Sequence, residues 1–357
     1  MHAWSPSLLR WYAAHGRDLP WRGHPDPYAV WISEIMLQQT RIATVRPYFQ
    51  RFMARFPTVT ALACAPCADV LKLWEGLGYY SRARHVQSSA RQILALHNGQ
   101  LPRTARALST LPGIGPYTAA AIASICFGEK IPVVDGNVAR VCSRYLGWRD
   151  DFQKPRARRK LAAWLQPALT AAAVPGDLNQ ALMELGECLC LPRTPACAAC
   201  PLTTTCHACQ SHTQEKFPYR PARRKVPTRH ASAVIMRRRG QLLLVQRHAT
   251  GLLGGFWELP GGESSTPPDA RAASAAVRRQ TGITPAGLTC IGEWEHVFSH
   301  FRLRLHVYTC QQLSGRLAPQ SKQAQWTPPA EIARLPVATL HRRVLSQHPL
   351  PTRRPPT

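Results

Sequence analysis

The stretch LPGIGPY, residues 111–117, is a glycine- and proline-rich turn, and the apolar segment 117–127 that follows it is predicted to be a helix. Glycine lacks a Cβ atom, so Gly113 and Gly115 can adopt positive φ and let backbone N–H groups approach an anion. Backbone N–H groups at the start of a helix are suited to binding a phosphate. The stretch therefore predicts a phosphate-binding hairpin, although an ordinary turn between two helices also uses glycine.

On both sides of this hairpin, apolar side chains recur every three to four residues, which indicates helices. Helices are predicted within residues 31–52, 68–77, 136–146 and 178–188. Together with the hairpin, at about residues 105–128, they define a helical region over residues 1–212.

The chain changes character after this region. Residues 213–229 alternate proline with arginine and lysine and are predicted to be an extended, basic linker. Beyond the linker, strands are predicted at 232–236, 241–246 and 302–308, and one helix is predicted at 268–280. The predicted fold class is a mainly α region followed by an α/β domain over residues 230–345 and a loose tail over 346–357.

The chain is strongly basic along its whole length. Its 357 residues carry 45 Lys and Arg against 19 Asp and Glu, a net charge of +26. Residues 1–229 contribute +16 (29 basic, 13 acidic) and residues 230–357 contribute +10 (16 basic, 6 acidic), so the charge is not a single basic tail. Such a field attracts polyanions, of which nucleic acid is the most common. The 45% of hydrophobic residues excludes general disorder, and no apolar run of about 18 residues predicts a membrane span.

Four cysteines, Cys190, Cys197, Cys200 and Cys206, follow one another with the spacing C-x6-C-x2-C-x5-C. Prolines between them enforce turns, so the four thiolates are predicted to surround one metal centre. Zinc and an iron–sulfur cluster both accept four thiolates, and ligand chemistry alone does not separate them. Cys188 and Cys209 flank the set without fitting the spacing and are interpreted as non-ligands.

Two carboxylates stand in stretches that suit acid–base chemistry. In VVDGN, residues 133–137, Asp135 lies where the N-cap of the next helix is expected, and capping alone would account for it. In WISEIMLQQT, residues 31–40, Glu34 shares a helix face with Trp31 and Ile35, so burial is expected to raise its pKa. A protonated carboxyl can serve as a general acid. An exposed glutamate beside a core stripe would give the same pattern.

Together, the hairpin, Asp135 and the cysteine spacing resemble the helix-hairpin-helix superfamily of base-excision DNA glycosylases. The resemblance implies that the four cysteines hold one [4Fe-4S] cluster. It also implies that Asp135 faces the sugar of a flipped nucleotide, because the glycosidic bond is not accessible inside a stacked duplex. Members that also cleave the strand have a lysine two residues after the second hairpin glycine, where this chain has Tyr117. A phenol does not form an imine, so a glycosylase that acts through water alone is predicted.

Longer stretches narrow the resemblance to the A/G-specific adenine DNA glycosylases, the MutY family. They are LPWR at 19–22, SEIMLQQT at 33–40, WEGLGYYSR at 74–82 and LNQALMELG at 178–186. The resemblance implies that Glu34 protonates adenine and then helps to activate water, and that Asp135 stabilises the positively charged sugar, with Tyr117 and Asn137 nearby. It further implies an adenine pocket lined by Leu19, Trp21, Arg22 and Gln180. It implies that the base stack around the lesion is entered by Gln39 and Tyr79, with Leu37 beside them, and that phosphate is held by Gly113 and Gly115.

The C-terminal domain resembles a Nudix fold that lacks its catalytic carboxylates. When the Nudix box is anchored on residues 282–283, the carboxylate positions hold Pro267, Ala276, Arg279 and Gln280. Divalent metal ions need anionic oxygen ligands, so hydrolysis of nucleoside diphosphate derivatives is not expected. In the MutY family such a domain recognises 8-oxoguanine opposite adenine. The stretch HVFSHFRL at 296–303 resembles its lesion loop, with the contact made by Phe298, Ser299 and His300. An aromatic strand edge is the structural alternative.

The resemblance thus predicts a monomeric, monofunctional glycosylase that removes adenine opposite 8-oxoguanine or guanine in double-stranded DNA, with no membrane partner. The first ten residues lack a secretory signal pattern, so a cytoplasmic, nucleoid-associated location is expected. The closest rival is an endonuclease III-like glycosylase and lyase, which Tyr117 and the Glu34 segment disfavour. The other rival is a non-catalytic iron–sulfur DNA-binding protein, which the presence of both Glu34 and Asp135 disfavours.

Overall fold

The computed structural model describes residues 4–23, 26–219, 221, 226–248, 251–298, 300–318 and 323–348. The chain forms two compact units, one of Met1–Cys64 with His85–Arg223 and the other of Ala65–Arg84 with Arg224–Thr357. The second unit thus contains a segment from within the region that the sequence division assigns to residues 1–212. Part of the predicted linker and most of the predicted tail lie outside the described residues.

The first unit is helical, as the sequence predicts. In the described chain up to residue 219 the helices are α1 Trp4–His15, α2 Pro27–Leu37, α3 Ile42–Arg55, α4 Val59–Cys64, α5 Cys67–Trp74, α6 Ser81–His97, α7 Ala105–Leu108, α8 Pro116–Phe127, α9 Gly136–Leu146, α10 Pro155–Ala171, α11 Pro175–Cys188 and α12 His207–Gln210. Helix α5 and the first residues of α6 belong to the second unit. Single 3-10 turns cover Cys197–Ala199, Thr203–Thr205 and Gln214–Lys216.

Local sequence explains where the central helices begin. Helix α2 starts with Asp26 as its N-cap, which accepts a hydrogen bond from the Tyr28 N–H at 2.9 Å, and Pro27 occupies the first turn. Residues 28–36 of α2 are all buried, so this helix runs through the core. It packs against α8, α8 packs against α11, and α11 packs against α9 and α1. Segment 31–52 contains two helices, since α2 ends at Leu37 and Gln39 has a φ of 59°.

The second unit is built on sheets. Its strands in the described residues are β1 Thr228–Ile235, β2 Arg237–Arg238, β3 Gln241–Gln246, β4 Trp257–Glu258, β5 Gly261–Ser264, β6 Thr284–Ala286, β7 Thr289–Val297, β8 Arg302–Thr309, β9 Gln312–Ser314 and β10 Ala324–Thr327. Its further helices are α13 Ala270–Thr281, α14 Pro329–Ile332 and α15 Thr339–Gln347. The predicted strands and the predicted helix at 268–280 are therefore confirmed, and so is the α/β class.

The strands form two main sheets and one short pair. One sheet has the order β5-β1-β8-β7, the other has the order β10-β3-β2 with β4 on β3, and β6 pairs with β9. Strands β1 and β8 are parallel, with Thr228 opposite Arg302, and their neighbours in the sheet are antiparallel. One face of β1 and β8 packs on β3 and α15, and the other packs on α13. No helix in the described part of the chain is long and apolar enough to span a membrane.

Specific contacts explain why Ala65–Arg84 belongs to the second unit. The Tyr80 ring lies 4.1 Å from the ring of Phe256, and its hydroxyl lies 2.9 Å from the Thr339 hydroxyl. The Arg342 guanidinium forms an ion pair with Glu75, with one N–H···O distance of 3.1 Å. These partners are more than 170 residues apart in the chain, so local sequence pattern does not reveal them.

Candidate active site

A cavity in the first unit collects side chains from the segment before α2 and from α2, α8, α9 and α11. Its lining includes all of the predicted catalytic and adenine-pocket residues, namely Leu19, Trp21, Arg22, Glu34, Tyr117, Asp135, Asn137 and Gln180, and also Leu37, which is predicted to lie beside the base stack. These residues come from positions spread over more than 160 residues of sequence, and the fold brings them to one place.

Glu34 is buried in the wall of this cavity and is 7% exposed. Burial raises its pKa to about 7, and the negative charge of Asp135 adds to this effect. The hydrogen bond from Tyr117 and the charge of Arg22 act in the opposite direction. Glu34 is therefore not the exposed glutamate that its sequence pattern would also allow, and it can hold a proton near neutral pH.

Tyr117, at the start of α8, orients the Glu34 carboxyl. Its hydroxyl donates a hydrogen bond to Glu34 Oε2 at 3.0 Å and contacts the Met183 sulfur at 3.5 Å. Burial, followed by the charges of Glu34 and Asp135, raises the pKa of Tyr117 well above its ordinary value. Tyr117 therefore remains a neutral donor at physiological pH.

Asp135 caps α9 and also lines the cavity. Its Oδ1 accepts the Val138 N–H at 2.7 Å, and the backbone N–H of Asn137 donates to the same carboxylate. Burial raises the pKa of Asp135, and these backbone hydrogen bonds oppose the rise. The predicted capping role of Asp135 is confirmed. Capping leaves its carboxylate in the cavity that Glu34 also lines, so capping is compatible with the predicted role of Asp135 at the sugar.

Arg22 is held in the cavity wall by a carboxylate that sequence reasoning missed. Glu184 accepts a hydrogen bond from Arg22 at 2.8 Å and two from the Arg17 guanidinium at 2.5 and 2.9 Å. Burial alone would raise the pKa of Glu184, but these hydrogen bonds outweigh it and lower the pKa to about 2. Glu184 follows Gln180 by four residues on α11, so the shared helix face was a signal available in the sequence.

The side chain of Asn137 contacts the Glu187 carboxylate rather than that of Asp135. Its side-chain NH2 donates to Glu187 Oε1 at 2.8 Å, and its Oδ1 accepts from Arg140 at 2.8 Å. The Arg140 guanidinium also donates to the backbone oxygens of Gly186 and Cys190. Asn137 thus lines the cavity while it ties α9 to the end of α11.

The hairpin glycines differ from each other. Gly113 has a φ of 77°, and a Cβ atom there would lie 2.5 Å from the Cβ of His85, so only glycine fits. Gly115 caps α8 with a φ of −80°, and no other atom lies within 4 Å of its Cβ position. Of the two glycines that can adopt positive φ, only Gly113 does so, because the turn is completed there. Gly115 instead leaves open space at the N-terminus of α8.

The predicted lesion-contacting residues are divided between the two units. Gln39 is exposed, with a φ of 59°, and belongs to the first unit. Tyr79, which is 43% exposed, belongs to the second unit and lines one cavity there with Phe298 and His300. The Phe298 ring stacks on Phe301 at 4.8 Å. Ser299 lies outside the described residues.

The loop over residues 190–206, which we call the cysteine loop, surrounds a separate cavity in the first unit. Cys190, Cys197, Cys200 and Cys206 all line it, and Arg144, which is 2% exposed, forms part of its wall. Arg144 donates to Cys190 Sγ at 3.3 Å.

The four thiols surround this space rather than converge on one point. Among the described residues, no three His, Cys, Asp or Glu side chains are close enough to hold a single metal ion. All twelve cysteines lie in the described ranges and are free thiols. An all-thiol donor set around one cavity, with N–H donors directed at sulfur, fits the [4Fe-4S] cluster that the resemblance implies.

The Nudix-like positions of the second unit carry no carboxylates. Helix α13 has the sequence ARAASAAVRRQT, in which Ala276 is buried and Arg279 is exposed. Gln280 accepts the Gly261 N–H at 2.9 Å. Asp269 is used as the N-cap of α13, where it accepts the Ala272 N–H at 2.7 Å. These positions therefore offer no anionic oxygen for a divalent metal ion.

Two known protein families match this chain, each over a different range of residues. The pattern of the HhH-GPD superfamily of base excision DNA repair proteins matches residues 32–167, and that of the NUDIX domain matches residues 231–347.

The chain is similar in sequence to adenine DNA glycosylases and similar in structure to a thymine-DNA glycosylase. The adenine DNA glycosylase of Homo sapiens is 38% identical over 364 residues, which cover 86% of this chain and 66% of that protein. The adenine DNA glycosylase of Mus musculus is 35% identical over 404 residues, which cover 97% of this chain and 78% of that protein. The structure of a thermostable thymine-DNA glycosylase superposes with a TM-score of 0.53 at 27% identity and covers 58% of this chain and 96% of its own.

Proposed function

This chain belongs to the adenine DNA glycosylase family of base excision repair enzymes, and we propose that it hydrolyses the N-glycosidic bond of adenine paired with 8-oxoguanine or guanine. The observation that carries the proposal is one cavity in which a buried glutamate, Glu34, with a pKa of about 7, lies beside a second carboxylate, Asp135. Two carboxyl groups with different tasks are what cleavage of a glycosidic bond requires.

Glu34 supplies the proton. Neutral adenine is a poor leaving group, and protonation of a ring nitrogen lets it leave with the electron pair of the C1′–N bond. A carboxyl with a pKa of about 7 is protonated in a large fraction of molecules at neutral pH. After bond cleavage, the Glu34 carboxylate accepts a proton from the water that adds to C1′.

Asp135 stabilises the positive charge that develops at the sugar. Its position at the N-cap of α9 fixes the carboxylate, because two backbone N–H groups bond to it. A fixed anion needs little reorganisation when the sugar becomes positively charged, which is the condition for effective electrostatic stabilisation. Tyr117, which donates to Glu34, holds the acid beside this anion.

Tyr117 also supports a reaction without strand cleavage. It occupies the position of the lysine that forms a Schiff base in the strand-cleaving members, and a phenol does not form one. Its buried hydroxyl is engaged with Glu34 and has a raised pKa, so it is not a nucleophile at neutral pH. Borohydride should therefore trap no covalent adduct with DNA, and a trapped adduct would support the endonuclease III-like alternative.

Recognition of adenine falls to Leu19, Trp21, Arg22 and Gln180. Leu19 and Trp21 are buried and offer apolar surface to the base, whereas Gln180 and Arg22 offer polar groups. Glu184 holds the Arg22 guanidinium through a hydrogen bond, so Arg22 needs little ordering when substrate binds.

Double-stranded DNA is the proposed partner, bound by one chain in the cytoplasm. The +26 charge supplies general attraction to phosphates. Gly113 and Gly115 belong to the hairpin, and the N-terminus of α8, where Gly115 leaves open space, can receive one phosphate. We assign Cys190, Cys197, Cys200 and Cys206 as the ligands of one [4Fe-4S] cluster. When bound, the cluster supplies cross-links that order the loop between them.

The second unit is proposed to read the base opposite adenine, through Tyr79, Phe298, Ser299 and His300. Phe298 is the residue to change, because its ring faces the cavity that Tyr79 and His300 also line. The neighbouring Val297 lines the same cavity and serves as the control.

The test compares single-turnover rates and binding on duplexes with A:8-oxoguanine and A:G. Wild type should prefer the 8-oxoguanine duplex, and Phe298→Ala should reduce that preference by roughly 10–100-fold, equivalent to about 1–3 kcal/mol. Val297→Ala should leave the preference unchanged. If Phe298→Ala also leaves it unchanged, the second unit does not read the lesion through this residue. If wild type releases no adenine from either duplex, the proposed activity is wrong.

A further inference from the structure

Arg46 is an arginine held at the rim of the cavity that contains Glu34. It lies on α3 one turn after Ile42, which lines the cavity, so the two side chains share a helix face. Its guanidinium donates a hydrogen bond to the backbone oxygen of Asp18 at 2.8 Å. Asp18 is next in the chain to Leu19, another lining residue. Arg46 therefore lies beside the cavity wall and outside the cavity itself.

No ion pair within the described residues compensates the charge of Arg46. Its hydrogen bond is to a backbone oxygen rather than to a carboxylate, and it uses one of the five guanidinium N–H groups. Arg46 is exposed, and residues 35–68, which include α3, contain four arginines and no Asp or Glu. In contrast, Arg17 and Arg22, which line the cavity, both bond to Glu184. Arg46 thus presents its positive charge to the solvent at the cavity rim.

The shape of a flipped nucleotide explains what an arginine at this place can bind. Under the proposed function, adenine reaches Glu34 inside the cavity and its sugar lies beside Asp135. The two phosphates linked to that sugar continue the strand, so they stay outside the cavity, at its rim. A guanidinium binds a phosphate through two parallel N–H···O bonds. An arginine fixed at the rim is therefore suited to a flanking phosphate.

We propose that Arg46 binds a backbone phosphate that flanks the flipped adenosine; this rests on the proposed function. The general charge of the chain attracts the whole duplex, whereas Arg46 acts on one phosphate at a defined place. Its bond to the Asp18 oxygen holds the guanidinium before DNA arrives, so little side-chain freedom is lost on binding. A phosphate held at the rim fixes the register in which the strand presents adenine to Glu34.

The first test measures how binding to an A:8-oxoguanine duplex depends on salt concentration in wild type, Arg46→Gln and Arg51→Gln. Arg51 is the matched control, because it is exposed, lies on the same helix and stacks on the Tyr48 ring at 4.7 Å. Both substitutions remove one positive charge, and glutamine in place of Arg46 retains an N–H group for the Asp18 oxygen. Circular dichroism verifies that both variants are folded.

Arg46→Gln should weaken binding roughly tenfold and reduce the slope of log K against log salt concentration by about 0.9, as expected for one lost phosphate contact. Arg51→Gln should change the affinity and the slope much less, because it removes the same charge without a contact at the rim. Arg46→Lys keeps the charge and should keep the slope of wild type.

A second test locates the phosphate. Single phosphates on either side of the adenosine are replaced by neutral methylphosphonates, one in each duplex. One of these replacements should weaken the binding of wild type roughly tenfold and have no further effect on Arg46→Gln, because both changes remove the same contact.

The structural alternative is that Arg46 only ties α3 to the chain at Asp18. Equal salt slopes for Arg46→Gln and Arg51→Gln, with every methylphosphonate effect of wild type retained in Arg46→Gln, overturn the proposal. A lower rate of adenine release at saturating enzyme would then assign the tie alone to Arg46. A wild type that neither binds the duplex nor releases adenine overturns the proposed function instead, so the two failures are distinguishable.

Discussion

Replacement of Glu34 by glutamine should make the protein less sensitive to alkaline pH. The folded chain raises the pKa of Glu34 from 4.5 to about 7 through burial, so between these values it holds a proton that the unfolded chain has released. Stability therefore falls as pH rises through this window, at up to about 1.4 kcal/mol per pH unit. Between pH 5.5 and 8 the loss amounts to about 2 kcal/mol. Glutamine cannot ionise, so Glu34→Gln should not show it.

The assay is thermal unfolding of wild type and Glu34→Gln at both pH values. A relative change of about 2 kcal/mol corresponds to a shift in Tm of roughly 4–8 °C in favour of the variant at pH 8.

Glu184→Gln is the matched control for this assay. The pKa of Glu184 is lowered to about 2, so the stability that this carboxylate contributes is already complete at pH 5.5 and is lost only at more acidic pH. This variant should be destabilised equally at pH 5.5 and 8. Parallel pH dependence of wild type and Glu34→Gln would refute a raised pKa at Glu34.

Other predictions concern catalysis and the hairpin. Adenine release should decline as pH rises above about 7, because Glu34 loses its proton there, and pH–rate profiles under single-turnover conditions would show it. Tyr117→Phe removes a hydrogen bond that lowers the pKa of Glu34, so the alkaline limb of that profile should move to higher pH. Gly113→Ala should cost about 1–3 kcal/mol, since its φ is positive and the new Cβ meets His85. Gly115→Ala should be tolerated, as thermal unfolding of both variants can verify.

The sequence predicted those features that follow from local pattern. The helices at α8, α9 and α11 have apolar periodicity and glycine or proline at their ends, and Glu34 lies on an apolar helix face, so burial and a raised pKa were foreseeable. The hairpin pattern allows positive φ at both Gly113 and Gly115, and the structure has it only at Gly113. One glycine with positive φ completes the turn, and sequence pattern does not say which one it is.

Other features depend on contacts between distant segments. Arg17 and Glu184 are 167 residues apart, yet their ion pair fixes the wall of the cavity that contains Glu34. Segment 65–84 packs in the second unit through Tyr80 and Glu75, which no periodicity indicates. Cys209 does not fit the ligand spacing, and only the path of α12 brings it to the cysteine cavity.

The assignment of Glu34 as the general acid is tested by a single-turnover assay of adenine release from a duplex with one A:8-oxoguanine pair, with binding to the same duplex measured in parallel. Wild type should release adenine, and Glu34→Gln should bind the duplex with similar affinity but release none, because glutamine retains the shape of the side chain and has no proton to give. Near-normal release by Glu34→Gln would contradict the assignment of Glu34 as the general acid.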